Sequence, residues 1–132
     1  MTDFERAMEA EAHRQEAQKQ AWKQTLQAED RAAQAEINEF VDAMSRRGVP
    51  TDRTLTVEGR TLHTWTLTYC VLHSHGTAIG TTAELIRWSG TNGQVVSPRE
   101  LQSALRDKRF ELPALALSLV RGDGPFGYDC SP

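Results

Sequence analysis

The chain has 132 residues, with 15 basic side chains against 18 acidic ones and a formal charge of −3. That length fits one ordinary domain. No run of 18 apolar residues could cross a membrane, the first residues are too polar for a signal peptide, and two cysteines cannot build a disulfide framework or a four-cysteine zinc site.

The average charge hides a division. Residues 1–47 contain no glycine and no proline, and they hold 10 acidic and 7 basic side chains. Residues 48–132 hold 8 of each and carry all 9 glycines and all 5 prolines. The net charge therefore sits in the first third. Ala, Glu, Gln, Lys and Arg dominate there, and these are strong helix formers. Thr2-Asp3-Phe4-Glu5 reads as a capping box, and acids cluster near the start. Arg46 and Arg47 fall in the last turn. Gly48 stands at the left-handed closing position, followed by Val49 and Pro50. Both helix ends are thus specified locally.

Such a helix is about 68 Å long. The remaining 85 residues, folded compactly, span only about 30 Å. Trp22, Leu26, Ala33, Ile37, Phe40 and Met44 form a core-facing stripe. Between Met8 and Trp22 only alanines are apolar. The expected organisation is therefore a projecting or frayed segment, 1–21, and a domain, 22–132. Phe4, Met8, Ala10, Ala17 and Trp22 are the candidate partner-binding residues.

Thr54–Val57 and Thr61–His73 read as strands joined at Glu58-Gly59. In the second, Trp65, Leu67, Tyr69 and Val71 share one face. Thr64, Thr66, Thr68 and Cys70 share the other. Trp65 and its neighbours should meet the helix stripe, and the threonine face is either wet or covered. Cys70 reads as a small packed side chain rather than a reactive thiolate. Gly76–Thr82 has the look of a phosphate loop but lacks the lysine and the spacing of one, so it reads as a connection. Residues 84–97 suit either a hairpin about Gly90-Thr91-Asn92-Gly93 or a short helix over 83–89, with the hairpin preferred. Ser97-Pro98-Arg99-Glu100 opens a helix to about Lys108. Ala114–Val120 alternates like a strand, and Phe126 and Tyr128 suit a last short one.

Chemistry is sparse. His73 and His75 lie about 6.6 Å apart along a strand, a weak two-ligand metal alternative lacking a third ligand. No nucleophile, paired carboxylate or cofactor motif is legible. The expectation is a non-catalytic cytoplasmic protein with no cofactor and no membrane partner.

Gly93-Gln94-Val95-Val96-Ser97-Pro98-Arg99-Glu100-Leu101 resembles a segment of response-regulator-type winged-helix domains. Val120-Arg121-Gly122-Asp123-Gly124-Pro125-Phe126-Gly127-Tyr128 resembles their wing. The resemblance implies a nucleic-acid-binding alternative using Arg99, Arg106, Lys108 and Arg109, although Leu112–Val120 contains no basic residue. The helix closing on Glu39-Phe40-Val41-Asp42-Ala43-Met44-Ser45-Arg46-Arg47-Gly48-Val49-Pro50 is similar to small proteins of high-GC Gram-positive bacteria that have no assigned activity.

The fold expectation is α+β: a long N-terminal helix packed on a small antiparallel sheet, with one short helix near 98–108. The functional expectation is a protein-interaction or assembly protein that uses this helix to self-associate or to dock a partner.

Overall fold

The structure, a computed structural model, describes residues 2–70, 74–105 and 111–123, and the backbone of 106 and 126–128. It is an α+β fold. Helix α1 (Asp3–Arg46) leads into strands β1 (Arg53–Val57), β2 (Arg60–Cys70), β3 (His75–Gly80), β4 (Leu85–Ser89) and β5 (Asn92–Val95). Helices α2 (Glu100–Arg106) and α3 (Leu112–Arg121) and strand β6 (Phe126–Tyr128) complete it.

Helix α1 is continuous and begins and ends where its sequence dictates. Thr2 Oγ1 accepts the Glu5 N–H at 3.1 Å. At the far end Gly48 takes φ 66°. The N–H groups of Gly48 and Val49 donate to the carbonyls of Ser45 and Met44, a Schellman closure.

The strands run β1-β5-β4-β3-β2-β6 in space, and β1 also pairs with β2. Five consecutive strands therefore close on themselves as a small barrel. Consecutive strands pair antiparallel, so the odd strand count makes the closing β1–β5 pair parallel. The closure is short, with Thr56 opposite Asn92 and Val57 opposite Gly93. A Cβ on Gly93 would lie 2.7 Å from Ile86 Cγ2 and 3.0 Å from Val57 Cγ2, so glycine lets the barrel wall close there. Strand β2 is long enough to serve two neighbours. Its first half pairs with β1, and Thr68–Cys70 pair parallel with β6.

Closure gives two cores on opposite sides of one wall. Leu55, Val57, Leu62, Ala78, Ile86 and Trp88 form one cluster, inside the barrel. Trp65, Leu67, Ile79 and Leu85 point out of it and meet Ile37, Phe40 and Met44 of α1. Leu101 and Leu105 of α2 and Leu112 and Leu115 of α3 complete this outer layer. Phe40 and Trp65 meet edge to face, centroids 5.9 Å apart. Each such large side chain removed from water contributes about 1.5–3 kcal/mol.

Thr64 and Thr66 of the threonine face are therefore neither wet nor covered by a further layer; they turn into the barrel, and only Thr68 and Cys70 of that face lie beyond a register shift in β2. Thr64 and Thr66 are fully buried and need partners. Thr64 Oγ1 donates to the Arg53 carbonyl at 3.0 Å. Thr66 donates both its N–H and its hydroxyl to Asp52 Oδ1, at 2.8 and 3.0 Å. The Arg53 guanidinium lies over the Trp88 ring at 3.8 Å.

Several expectations are corrected. Gly76–Gly80 is no connection but a central strand, β3, between β2 and β4. Its small residues are a steric requirement. A Cβ on Gly76 would sit 1.9 Å from the Thr68 carbonyl oxygen. The register of β2 against β3 shifts between Thr66 and Thr68. A one-residue shift reverses the facing of everything beyond it. Tyr69 accordingly packs with the barrel cluster, whereas Trp65 and Leu67 pack with the helices. Val71 and His73 lie outside the described residues.

Residues 114–120 are not a strand. Helix α3 buries Leu112 and Leu115 and part-buries Ala116 and Leu119 against α1, a helical spacing. The Leu/Ala alternation has period two only because both residue types alternate along a good helix former. Residues 83–89 are not a helix. β4 and β5 form the hairpin, with Ser89 opposite Asn92 across Gly90-Thr91. Asn92 and Gly93, expected in the turn, thus belong to β5. Helix α2 starts at Glu100 rather than Pro98, and Lys108 lies outside the described residues.

Candidate interaction surface

Helix α1 is divided by its surroundings, not by a break. Ala33, Ile37, Phe40 and Met44 are buried. Trp22 is 64% exposed, so the packed part starts later than the expected residue 22. Leu26 is the first half-buried apolar side chain of the stripe.

The junction is held by Asp30. Its Oδ1 accepts the Ser97 hydroxyl at 2.6 Å and the Arg99 backbone N–H at 3.2 Å. Its Oδ2 pairs with the Arg99 guanidinium at 3.2 Å. The Ser97 hydrogen bond, then the Arg99 N–H and charge, hold this carboxyl below its usual range despite some desolvation. The side chains of Ser97 and Glu100 therefore do not cap α2 between themselves. Ser97 donates to Asp30, and Glu100 pairs with Arg87 at 2.9 Å. A second tie is the Gln34 amide, which donates to the Ala83 carbonyl at 2.8 Å. Ala83 itself has φ 61°, and its N–H donates to the Gly80 carbonyl at 2.9 Å. Nearby, burial pushes Glu84 up, but the Arg60 guanidinium and the Thr82 hydroxyl outweigh it and hold the carboxyl below its ordinary value.

From Asp3 to Glu29 the helix is an arm about 40 Å long. Phe4 is 75% exposed and Met8 58%. At about 100° per residue, Phe4, Met8, Trp22 and Leu26 share one azimuth with Ile37, Phe40 and Met44. The arm continues the core stripe into solvent. Ala10 and Ala17 are exposed too, but they lie about 140° around the helix from that stripe. The five candidate residues therefore do not form one surface. Phe4, Met8 and Trp22 do, and the alanines face away.

Exposed side-chain pairs hold the arm in shape. Arg14 pairs with Glu11, and Gln15 Nε2 donates to Glu11 Oε1 at 3.2 Å. Gln20 donates to Glu16. These i,i+3 and i,i+4 pairs each support an isolated helix by a few tenths of a kcal/mol.

A second apolar surface escapes a reading of Ala114–Val120 as a strand. Between α1 and α3 runs a groove of about 340 Å³ lined by Phe40, Met44, Leu112, Ala116, Leu117 and Val120. Leu117 is 48% exposed at its rim. A helical reading of that segment would have placed Leu117 opposite the buried Leu112 and Leu115.

The nucleic-acid and metal alternatives are placed as follows. Arg99 is committed to Asp30. The side chains of Arg106, Lys108 and Arg109 lie outside the described residues. The winged-helix-like segments fall on β5–α2 and from the last residues of α3 to β6, and β5 belongs to the closed barrel. His75 is half-buried in β3, and His73 is outside the described residues. Among the described residues, no three His, Cys, Asp or Glu side chains cluster to hold a metal. Cys70 is fully buried and disulfide-bonded, not a free packed thiol. The chain's other cysteine, Cys130, is outside the described residues. Among the described residues, no helix is long and apolar enough to cross a membrane. No protein-family model, curated protein or solved structure matches this chain.

Proposed function

We propose that this is a non-catalytic interaction or assembly protein whose helical arm is the working element. The barrel and its helices anchor the arm, and the arm's apolar stripe binds another protein surface. One observation supports this above all. Phe4, Met8 and Trp22 are large, exposed and aligned, and they continue the azimuth that buries Ile37, Phe40 and Met44 in the core. Aligned apolar side chains on an amphipathic helix are the anchors of helix-mediated recognition. Asp30, Ser97 and Arg99 fix the direction in which the arm leaves the domain, so little orientational freedom is lost on binding.

The test is the full-length variant Phe4→Ser/Met8→Ser/Trp22→Ser, compared with the parent by light scattering over a concentration series. Association of the parent that is lost in the variant, with the melting of the barrel unchanged, is the expected result. Association of undiminished strength in the variant overturns the reading.

A further inference from the structure

We propose that the arm's partner is the arm of a second copy, paired antiparallel in one register. This rests on the interaction reading above and names its partner.

The stripe residues of the arm are Phe4, Met8, Glu11, Gln15, Lys19, Trp22 and Leu26. Their spacing runs 4-3-4 from Phe4 to Gln15 and 4-3-4 again from Gln15 to Leu26. The pattern is symmetric about Gln15. An antiparallel pair with its two-fold axis at Gln15 therefore sets position i against position 30 − i. Phe4 then meets Leu26 of the other copy, and Met8 meets Trp22. Glu11 meets Lys19, and Gln15 meets itself. Apolar faces apolar, acid faces base, and the polar centre faces a group able to both donate and accept.

The chemistry selects against other arrangements. A parallel pair in register places Glu11 on Glu11 and Lys19 on Lys19, a repulsion at both ends of the polar centre. On the flank of the stripe Glu5 and Lys23 share an azimuth and fall within two residues of the same register, so they add a second complementary pair in the antiparallel arrangement alone. Glu11 keeps its own Arg14 and Gln15 contacts within its helix.

The surface fits as well. Beside Trp22 the arm has a shallow hollow lined by Ala12, Gln15, Gln18 and Lys19. The other copy's Met8, an unbranched and adaptable side chain, comes to Trp22 in this register. Asp3 of one helix lies opposite Gln27 of the other. Paired arms thus overlap along their whole exposed length and stop short of Asp30, where the arm meets its own domain. A C2 pair of this kind is self-complementary, as isologous interfaces must be.

The experiment uses full-length protein and sedimentation equilibrium. Glu11→Lys and Lys19→Glu each replace two attractive contacts per dimer with repulsive ones, and each should raise the dissociation constant roughly tenfold. The double variant Glu11→Lys/Lys19→Glu restores complementarity and should return to within about threefold of the parent. Separately, Gln15→Cys should form a covalent dimer under mild oxidation, and Phe4→Cys should not, with the parent chain as control.

The outcomes separate the two proposals. Loss of association in the triple serine variant, without charge rescue and with a Phe4→Cys dimer, overturns the antiparallel register and keeps the arm. A chain that is monomeric at all concentrations overturns self-pairing and leaves the arm to a foreign protein. Association that survives the triple serine variant overturns both.

Discussion

Asp30 and Ser97 are 67 residues apart in sequence, yet their side chains meet at 2.6 Å. Beside that contact the same carboxylate accepts the Arg99 N–H, so the N-terminal helix supplies an acceptor just before α2. One carboxylate joins the arm to the segment that links the barrel's last strand to the short helix.

Asp30 and Glu84 both have carboxyl groups held below their usual range. Such groups bind protons more weakly folded than unfolded, so their stabilisation is present above the unfolded value and is lost as pH falls through the folded one. The melting temperature should be flat near neutrality and fall below about pH 4. In Asp30→Asn the fall should be shallower and the neutral melting temperature lower. Thermal melts across an acid pH series check this, and parallel curves for the two proteins would refute it.

Phe40 packs edge to face on Trp65 at the meeting of α1 with the barrel wall. Phe40→Ala should cost about 3–5 kcal/mol in urea unfolding, because a buried aromatic leaves a cavity. Leu117→Ala, at an exposed rim position, should cost under about 1 kcal/mol by the same measurement. Equal losses would show that α1 and α3 do not pack as described.

Gly76 and Gly48 should respond differently to alanine. At Gly76 the added methyl collides with the Thr68 carbonyl, so Gly76→Ala should disrupt the β2–β3 pairing and lose at least about 3 kcal/mol. At Gly48 nothing lies within 4 Å. Only the left-handed backbone penalises Gly48→Ala there, by about 1 kcal/mol. Denaturant titration of both variants separates the steric from the conformational cause.

Reduction should lower the melting temperature, since Cys70 is buried in a disulfide and such bonds typically contribute about 2–4 kcal/mol. Melts with and without reductant, with Cys70→Ser as the comparison, read the effect.

Much of the proposed interaction surface is legible in the chain itself. Phe4, Met8 and Trp22 stand out because they are large residues in an Ala/Glu/Gln background, and helical spacing aligns them. Ala10 and Ala17 lie on another face of the helix, which composition does not show until the residues are set on the 100° wheel. The α1–α3 groove was not legible, since Leu115, Leu117 and Leu119 satisfy a two-residue and a helical pattern equally over so short a span.

Local chemistry alone determines the helix of 44 residues, its Thr2 cap and its Gly48 closure, because hydrogen bonds three to five residues apart need no distant partner. It also determines the Glu58-Gly59 turn, where both residues take positive φ. Tertiary structure decided the rest. The barrel closes because β1 finds both β2 and β5, and no local pattern encodes a second neighbour. Tyr69 turns inward because β2 slips against Gly76 of the next strand. Asp30 completes the start of α2 because two segments far apart in the chain are brought together by the core between them.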